Sequence, residues 1–444
     1  MKNDLRQQLH LEPQNGWLND PNGLCFFKGR YHVYFQYAPS SADGSGKKCW
    51  GHFQSRDLIS WEFTGTVLFP DSPDDADGVF SGSAVVKGDT LYLFYTGNVE
   101  QQGDFDLITA GRGANTILVT TKDGVTMSEK KVVLRNSDYP GYCSCHVRDP
   151  KVWEQDGRYR MVLGARTLDD KGCVLFYRSD DLINWEFEEE VRTLNMGYMW
   201  ECPDCFELGG KEYLGFSPQG LAHEKYRFQN VYSSGYLQMA TGVFTEWDNG
   251  FDFYAPQSFI APDGRRILIG WMGIGDIPYT NPTAALGWQH CLTVPCELTL
   301  GGDGKLLRDP VAEIDSLVTH RQVLAGGEGE SQLPFDLTAQ AVQDSFELTL
   351  GGAVRMKFDG GIFTLRFVDE RVGCGRDVRR ARLECCKSIR VLADKTSLEI
   401  FLNGGEKVLS TRFYPSDTRI SIRSKGLSCE VSQLDAMQVR YLGE

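Results

Sequence analysis

The chain has 444 residues, 41% of them hydrophobic and 24% charged, with a formal net charge of −14 and no long basic run. That length supports two domains with ample core, and the acidic balance argues against nucleic acid or an anionic membrane surface as a partner. Met1-Lys2-Asn3-Asp4-Leu5-Arg6 lacks the apolar centre of an export signal and no window is apolar enough to span a bilayer, which with thirteen cysteines, an odd number, predicts reduced thiols and a cytoplasmic setting.

The first element is Trp17-Leu18-Asn19-Asp20-Pro21-Asn22-Gly23. Proline fixes φ and short polar side chains bond nearby backbone, so this stretch by itself reads as a turn. It leads into Leu24-Cys25-Phe26-Phe27, then Lys28-Gly29, then Tyr31-His32-Val33-Tyr34-Phe35, the pattern of an aromatic-rich hairpin. Similar hairpins are predicted around Gly88-Asp89, Asp156-Gly157, Gly209-Gly210 and Asp263-Gly264. A second repeat supports one unit used many times: Ser55-Arg56-Asp57-Leu58-Ile59-Ser60-Trp61 returns as Ser179-Asp180-Asp181-Leu182-Ile183-Asn184-Trp185. Five antiparallel units at intervals of roughly 50 to 70 residues, with scarcely any amphipathic helix, predict an all-β chain whose residues 1–310 form a five-bladed β-propeller, with a plain β-sandwich or barrel as the alternative that strand content alone leaves open.

After residue 310 the pattern changes. Residues 311–330, with Gly326-Gly327-Glu328-Gly329-Glu330, read as a connector. Residues 331–444 contain shorter alternating strands such as Phe346-Glu347-Leu348-Thr349-Leu350 and Leu398-Glu399-Ile400-Phe401-Leu402, which predict a C-terminal β-sandwich.

Chemistry enters when the carboxylates are counted against the hairpins. Asp20 precedes the Lys28 turn by 8 residues, Asp149 the Asp156 turn by 7 and Glu201 the Gly209 turn by 8. Each lies beside a proline, and the three read as equivalent positions on inner strands facing one axial channel. A single acid at a strand start is usually a turn residue; three at one register need another explanation. Like charges at short range resist joint ionisation, so the cluster is costly unless used, and Arg148 supplies a nearby cation. Two carboxyl groups flanking a bond are the apparatus of glycoside hydrolysis, and a third can hold sugar hydroxyls. The same register in the other two units gives Ser81, within Phe80-Ser81-Gly82-Ser83, and the segment Asp252-Phe253-Tyr254-Ala255-Pro256-Gln257, whose small polar and aromatic groups, Phe80 and Tyr254 among them, suit sugar hydroxyls and ring faces. Gln36, Trp50 and Trp271 are candidates to complete the wall, although each Trp taken alone reads more readily as packing between units, since aromatics also fill propeller cores.

Together, Trp17 to Gly23, Trp50-Gly51-His52, Phe80-Ser81-Gly82-Ser83, Arg148-Asp149-Pro150, Trp200-Glu201-Cys202-Pro203 and Asp252 to Gln257 resemble glycoside hydrolase family 32, in the right order and over nearly the whole chain. The resemblance is nearest to the intracellular bacterial branch, and Ser397 to Glu406 resembles its sandwich module. It implies a propeller plus sandwich, no metal, no cofactor, and cleavage of a terminal β-fructofuranosyl bond with retention. Carried over by position, it makes Asp20 the nucleophile, Glu201 the acid/base and Asp149 the transition-state stabiliser. Asn19, Gln36, Ser81 and Arg148 fall on substrate-binding positions; the implied partner is a small sugar, and oligomeric state is left open.

Three departures or alternatives stand beside that reading. The loop Ser40 to Lys48 is short and polar, and Lys47 and Lys48 read as a solvated pair. Cys143 and Cys145 with Cys202 and Cys205 lack the paired knuckles of a structural zinc site and read as small hydrophobes. A fructosyltransferase on the same scaffold and a non-catalytic sugar-binding propeller are the competing functions.

Overall fold

The computed structural model describes residues 5–302 and 304–442, so Met1 to Asp4 of the opening hexapeptide lie outside it. The chain is nearly all-β. Five antiparallel sheets come first, each starting with a predicted hairpin. Their first strands are Gly16–Phe27, Gly78–Lys87, Cys143–Gln155, Met199–Leu208 and Tyr254–Ile260. Their partners are Arg30–Ala38, Thr90–Glu100, Arg158–Thr167, Lys211–Gln219 and Arg266–Met272. Two further main strands complete each sheet. The first strand of each sheet packs on the first strand of the next, and the fifth packs on the first, which closes a ring of inner strands.

Local sequence explains the hairpins. Two-residue connections between right-twisted strands favour turns with two positive φ angles. Lys28-Gly29 (φ 47° and 75°), Asp156-Gly157 (53° and 77°) and Gly209-Gly210 (58° and 74°) supply them. The Ser-x-Asp-Leu repeat is a turn between third and fourth strands. Ser55 Oγ accepts from the Asp57 and Leu58 amides, and the Asp57 carboxylate caps Ile59 and Ser60. Ser179 and Asp181 repeat these bonds. The second sheet contains a third copy that sequence reading missed: Thr121 and Asp123 make the same bonds, with Gly124 where the others have leucine.

Wedges of apolar side chains join neighbouring sheets. Val162, Val174, Trp200, Leu214 and Phe216 fill the gap between the third and fourth, and the Trp200 and Phe216 rings stack at 3.9 Å. Each such fully buried side chain contributes roughly 1.5–3 kcal/mol.

Two six-stranded sheets follow and face each other across a core that includes Phe335, Leu337, Leu348, Met356 and Ile400. In Val354–Asp359 buried Val354, Met356 and Phe358 alternate with exposed Arg355, Lys357 and Asp359, the period-2 signature of a half-wet strand. The segment expected as a connector, 311–330, is instead structured. After the 3-10 turn Ala312–Leu317, Val318–Val323 forms the edge of one of these sheets and Glu328–Gln332 the edge of the other. Both edge strands are largely exposed, so they lack the alternation that reveals a strand. The last strand, Gln438–Tyr441, leaves the sandwich and pairs parallel with Ser60 to Phe63 of the first sheet.

Buried ion pairs join the two parts. His10 Nδ1 lies 2.7 Å from Asp394 Oδ2, and its Nε2 lies 2.9 Å from Glu399 Oε1, all three side chains fully buried. Arg376 of the sandwich holds both oxygens of Asp252 at 2.8 Å.

One irregularity recurs in all five inner strands. Two residues oppose a single partner residue at Asn19-Asp20, Phe80-Ser81, Asp149-Pro150, Cys202-Pro203 and Ala255-Pro256. These are β-bulges, which bend the strand and re-aim its side chains. Proline is tolerated there because the ladder is already interrupted.

Candidate active site

The bulges aim side chains from all five sheets into one cavity of about 250 Å³. Asn19, Asp20, Gln36, Phe80, Arg148, Asp149, Glu201, Tyr254 and Trp271 line it, as do Arg112, His146, Gln219, Tyr232 and Gly275, which sequence reading missed. The three acids come together, but not at one register. Relative to the bulge, Glu201 lies just before it, Asp149 takes its first position and Asp20 its second. Counting from the hairpin turn conceals the offset of Asp20 because the first inner strand carries another irregularity between Asn22 and Cys25 and its hairpin runs one partner position further before the bulge. Asp149 and Cys202, each followed by proline, hold φ of 64° and 47°. Residues before proline normally prefer extended backbone, so the site stores local strain.

Asp20 terminates an oriented chain of hydrogen bonds. Trp17 Nε1 donates to Asn19 Oδ1 (3.0 Å), Asn19 Nδ2 to Gln36 Oε1 (2.7 Å), Gln36 Nε2 to Ser81 Oγ (2.6 Å) and Ser81 Oγ to Asp20 Oδ2 (2.6 Å). Every donor points the same way, and such chains polarise cooperatively. Asn19 and Gln36 thus act on Asp20 as well as lining the wall, while Ser81 stands behind that carboxylate. Trp17, quoted in the opening stretch, begins the relay.

Trp50 requires a correction. It is fully buried behind the wall, where its Nε1 donates to the Phe80 carbonyl at 3.1 Å and its ring packs near Tyr34 and Tyr95. An indole next to the second sheet satisfies its N–H there and fills a gap between sheets. Lys48 also departs from the solvated-pair reading. Its amine is partly buried, donates to the Gly44 carbonyl and lies 5.4 Å from the Trp17 ring, and burial lowers its pKa to about 8. Lys47 points to the Ala76 carbonyl and Asp77 on the surface.

Electrostatics separate the acids. Burial raises the Asp149 carboxyl to about 7, opposed by Arg148 and by the Cys202 amide, which donates to its Oδ2 at 2.9 Å. Burial also raises Asp20, and the Ser81 hydroxyl offsets part of that rise. Glu201 sits under three donors: Arg148 Nη2 to Oε1, and Gln219 Nε2 and Tyr254 Oη to Oε2, each at 2.7 Å. The Cys202 thiol lies 3.6 Å from both Asp20 Oδ2 and Asp149 Oδ2, so those oxygens are within twice that distance of each other. Cys205 turns away toward Glu212, so the two thiols occupy different surroundings.

His146 completes the Arg148 side. Burial and the neighbouring arginines depress it to about 3, so the ring is neutral. It accepts from Arg148 Nη1 at Nδ1 (2.6 Å) and donates from Nε2 to the Leu107 carbonyl (3.0 Å).

Among the described residues no group of three or more His, Cys, Asp or Glu side chains is disposed to hold a metal ion, and no helix is long and apolar enough to cross a membrane.

Comparisons with known proteins give this geometry a lineage. The pattern of the glycosyl hydrolases family 32 N-terminal domain matches residues 10–310, and that of the family's C-terminal domain matches residues 373–438. The chain is 38% identical to the sucrose-6-phosphate hydrolase of Bacillus subtilis (strain 168) over 441 residues, covering 92% of this chain and 89% of that protein. It is likewise 38% identical to the raffinose invertase of Escherichia coli, with 93% and 90% covered. Among solved structures, a mutant of the Bombyx mori beta-fructofuranosidase in complex with sucrose matches with a TM-score of 0.85 at 32% identity, covering 98% of this chain and 95% of that one. With both family patterns matched and all five bulges directed into a single acidic cavity, the chain belongs to glycosyl hydrolase family 32.

Proposed function

We propose that the cavity cleaves terminal β-fructofuranosyl residues from sucrose, its 6-phosphate or short fructo-oligosaccharides, with Asp20, Glu201 and Asp149 as its working acids. The protein is a β-fructofuranosidase, an O-glycosyl hydrolase. The five sheets are read as blades of one propeller over residues 1–310, and the two six-stranded sheets as a sandwich over residues 331–444, with the strands of 311–330 attached to it. The reading includes a cytoplasmic setting, in keeping with thirteen free cysteines.

The observation that carries the assignment is three carboxylates from the first, third and fourth inner strands in one cavity, with Arg148 reaching both Glu201 and Asp149. In the first step an Asp20 oxygen attacks the fructosyl C2. The bond to the leaving sugar breaks, and Glu201 gives its proton to the departing oxygen. In the second, Glu201 takes a proton from water, the resulting hydroxyl attacks C2, and the bond to Asp20 breaks. With Oδ2 tethered by Ser81 and Cys202, the Asp20 carboxylate is oriented before substrate arrives, so little reorganisation is left for the transition state. Asp149 accepts from fructose hydroxyls, whose bonds strengthen as the ring acquires oxocarbenium character.

Two displacements restore configuration. Early-time NMR of a sucrose digest therefore shows β-fructofuranose first, and Asp20→Asn retains the fold while losing several orders of magnitude in kcat. An initial α-anomer, or near-normal turnover by the folded variant, overturns the assignment.

A further inference from the structure

We propose that Arg112, backed by Arg166, makes the leaving-group side of the cavity a recognition site for a phosphate monoester on the sugar attached to fructose. The inference rests on the β-fructofuranosidase reading above and deepens it.

The charges lining the cavity are three carboxylates and two guanidinium groups. Arg148 is engaged with Glu201 and Asp149. Arg112 is the other cation in the wall, and its carboxylate partner is a weak one: Nη2 reaches Glu100 Oε1 at 3.2 Å, with Glu100 45% exposed. Its remaining bonds are neutral, from Nη1 to Asn98 Oδ1 (2.8 Å) and from Nε to the Leu107 carbonyl (3.2 Å). The Leu107 carbonyl also accepts from His146, so Arg112, His146 and Arg148 form a continuous line away from Glu201. Arg166 lies within electrostatic reach of the same histidine. Its guanidinium stacks 4.6 Å from the Tyr198 ring and pairs with Asp170, whose side chain is 66% exposed.

Three arginines therefore surround one neutral imidazole beside Glu201, the residue that protonates the leaving oxygen. Two of them are paired only with solvent-exposed carboxylates, which can turn to water at little cost. A phosphate dianion entering beside Asp20, Asp149 and Glu201 would otherwise be repelled. Arg112 offers it a planar fork, the geometry that matches phosphate oxygens. Lys47 and Lys48, the other basic candidates, bond backbone carbonyls and do not line the cavity.

The test is kcat/KM for sucrose 6-phosphate and for sucrose on the wild type, Arg112→Gln, Arg166→Gln and Glu100→Gln. The wild type is expected to favour the phosphorylated substrate. Arg112→Gln should lower the ratio of the two values by about tenfold or more, the effect of losing a charge-assisted bond, because the loss falls mainly on the phosphorylated substrate. Arg166→Gln should lower the ratio less, and Arg112→Lys should recover part of it. Glu100→Gln removes the competing carboxylate without touching substrate, so it should raise the ratio. An equal loss on both substrates in Arg112→Gln, or a ratio unmoved by Glu100→Gln, overturns the proposal and reduces Arg112 to a support of the Leu107 loop. Release of fructose from neither substrate would instead overturn the β-fructofuranosidase reading itself.

Discussion

Replacing Asp149 by asparagine should make the protein more stable and catalytically almost inert. The carboxyl is displaced by burial from an ordinary 3.8 to about 7. At about 1.4 kcal/mol for each tenfold change, ionising it in the native state costs roughly 4 kcal/mol above neutral pH. Asparagine removes that charge and can keep an oxygen at the Oδ2 position for the Cys202 amide, but it forfeits the ionic attraction to Arg148, so the net gain is about 2–4 kcal/mol. The pH dependence identifies the cause. A raised native pKa means that the folded protein binds more protons than the unfolded chain between 3.8 and about 7, so wild-type stability falls as pH rises through that window. The variant lacks this loss. Urea unfolding followed by circular dichroism should show the two proteins converging below about pH 3.8 and separating fully by pH 8. Equal stability at pH 8, or an advantage that does not vary with pH, would refute the reasoning.

Other outcomes follow from the same structure. Tyr254→Phe deletes one of the three donors on Glu201 and should cost about tenfold in kcat with KM little changed; steady-state kinetics decides, and an unchanged kcat removes Tyr254 from the acid/base apparatus. Glu201→Gln should slow poor leaving groups by about 10²–10⁴-fold and activated aryl fructosides much less, a contrast that disappears if another group is the acid. His10 is raised from 6.5 to about 9 by Asp394 and Glu399, which outweigh its burial. Its contribution to stability is thus complete below pH 6.5 and lost as pH rises through 9. His10→Leu leaves two buried carboxylates unpaired and should cost about 3–5 kcal/mol at pH 6 and clearly less at pH 10, measured by urea unfolding.

The sequence was most informative where backbone chemistry is local. Lys28-Gly29, Asp156-Gly157 and Gly209-Gly210 announce their turns because left-handed backbone needs particular residues, and those turns place the inner strands. Proline beside Asp20, Asp149 and Glu201 was legible as well, but its cause was not. It marks bulges, and a bulge shows itself only when a partner strand is counted against it. Residue counting therefore assigned one register to three acids that are staggered. Trp50 stayed ambiguous because an indole reads alike as pocket wall or packing until its N–H partner is known. Arg112, Gln219 and Tyr232 carry no sequence signal: they arrive from second and third strands or loops, where nothing ties them to a motif. Asp252 had a signal that pointed elsewhere, since its carboxylate serves Arg376 of the sandwich while Tyr254, two residues on, turns to Glu201.

The parallel pairing of Gln438–Tyr441 with Ser60 to Phe63 bears on how the protein is made. On the ribosome, the first sheet can assemble its four main strands early, yet its outer edge stays open until the segment near residue 440 has emerged. For that interval the nascent chain presents an unpaired strand, a template for association with other chains. Tyr441, whose ring lies 5.7 Å from that of Phe63, then closes it. A short deletion at the C-terminus should therefore lower soluble yield far more than its few buried side chains would suggest, because it would leave a growing polypeptide permanently adhesive.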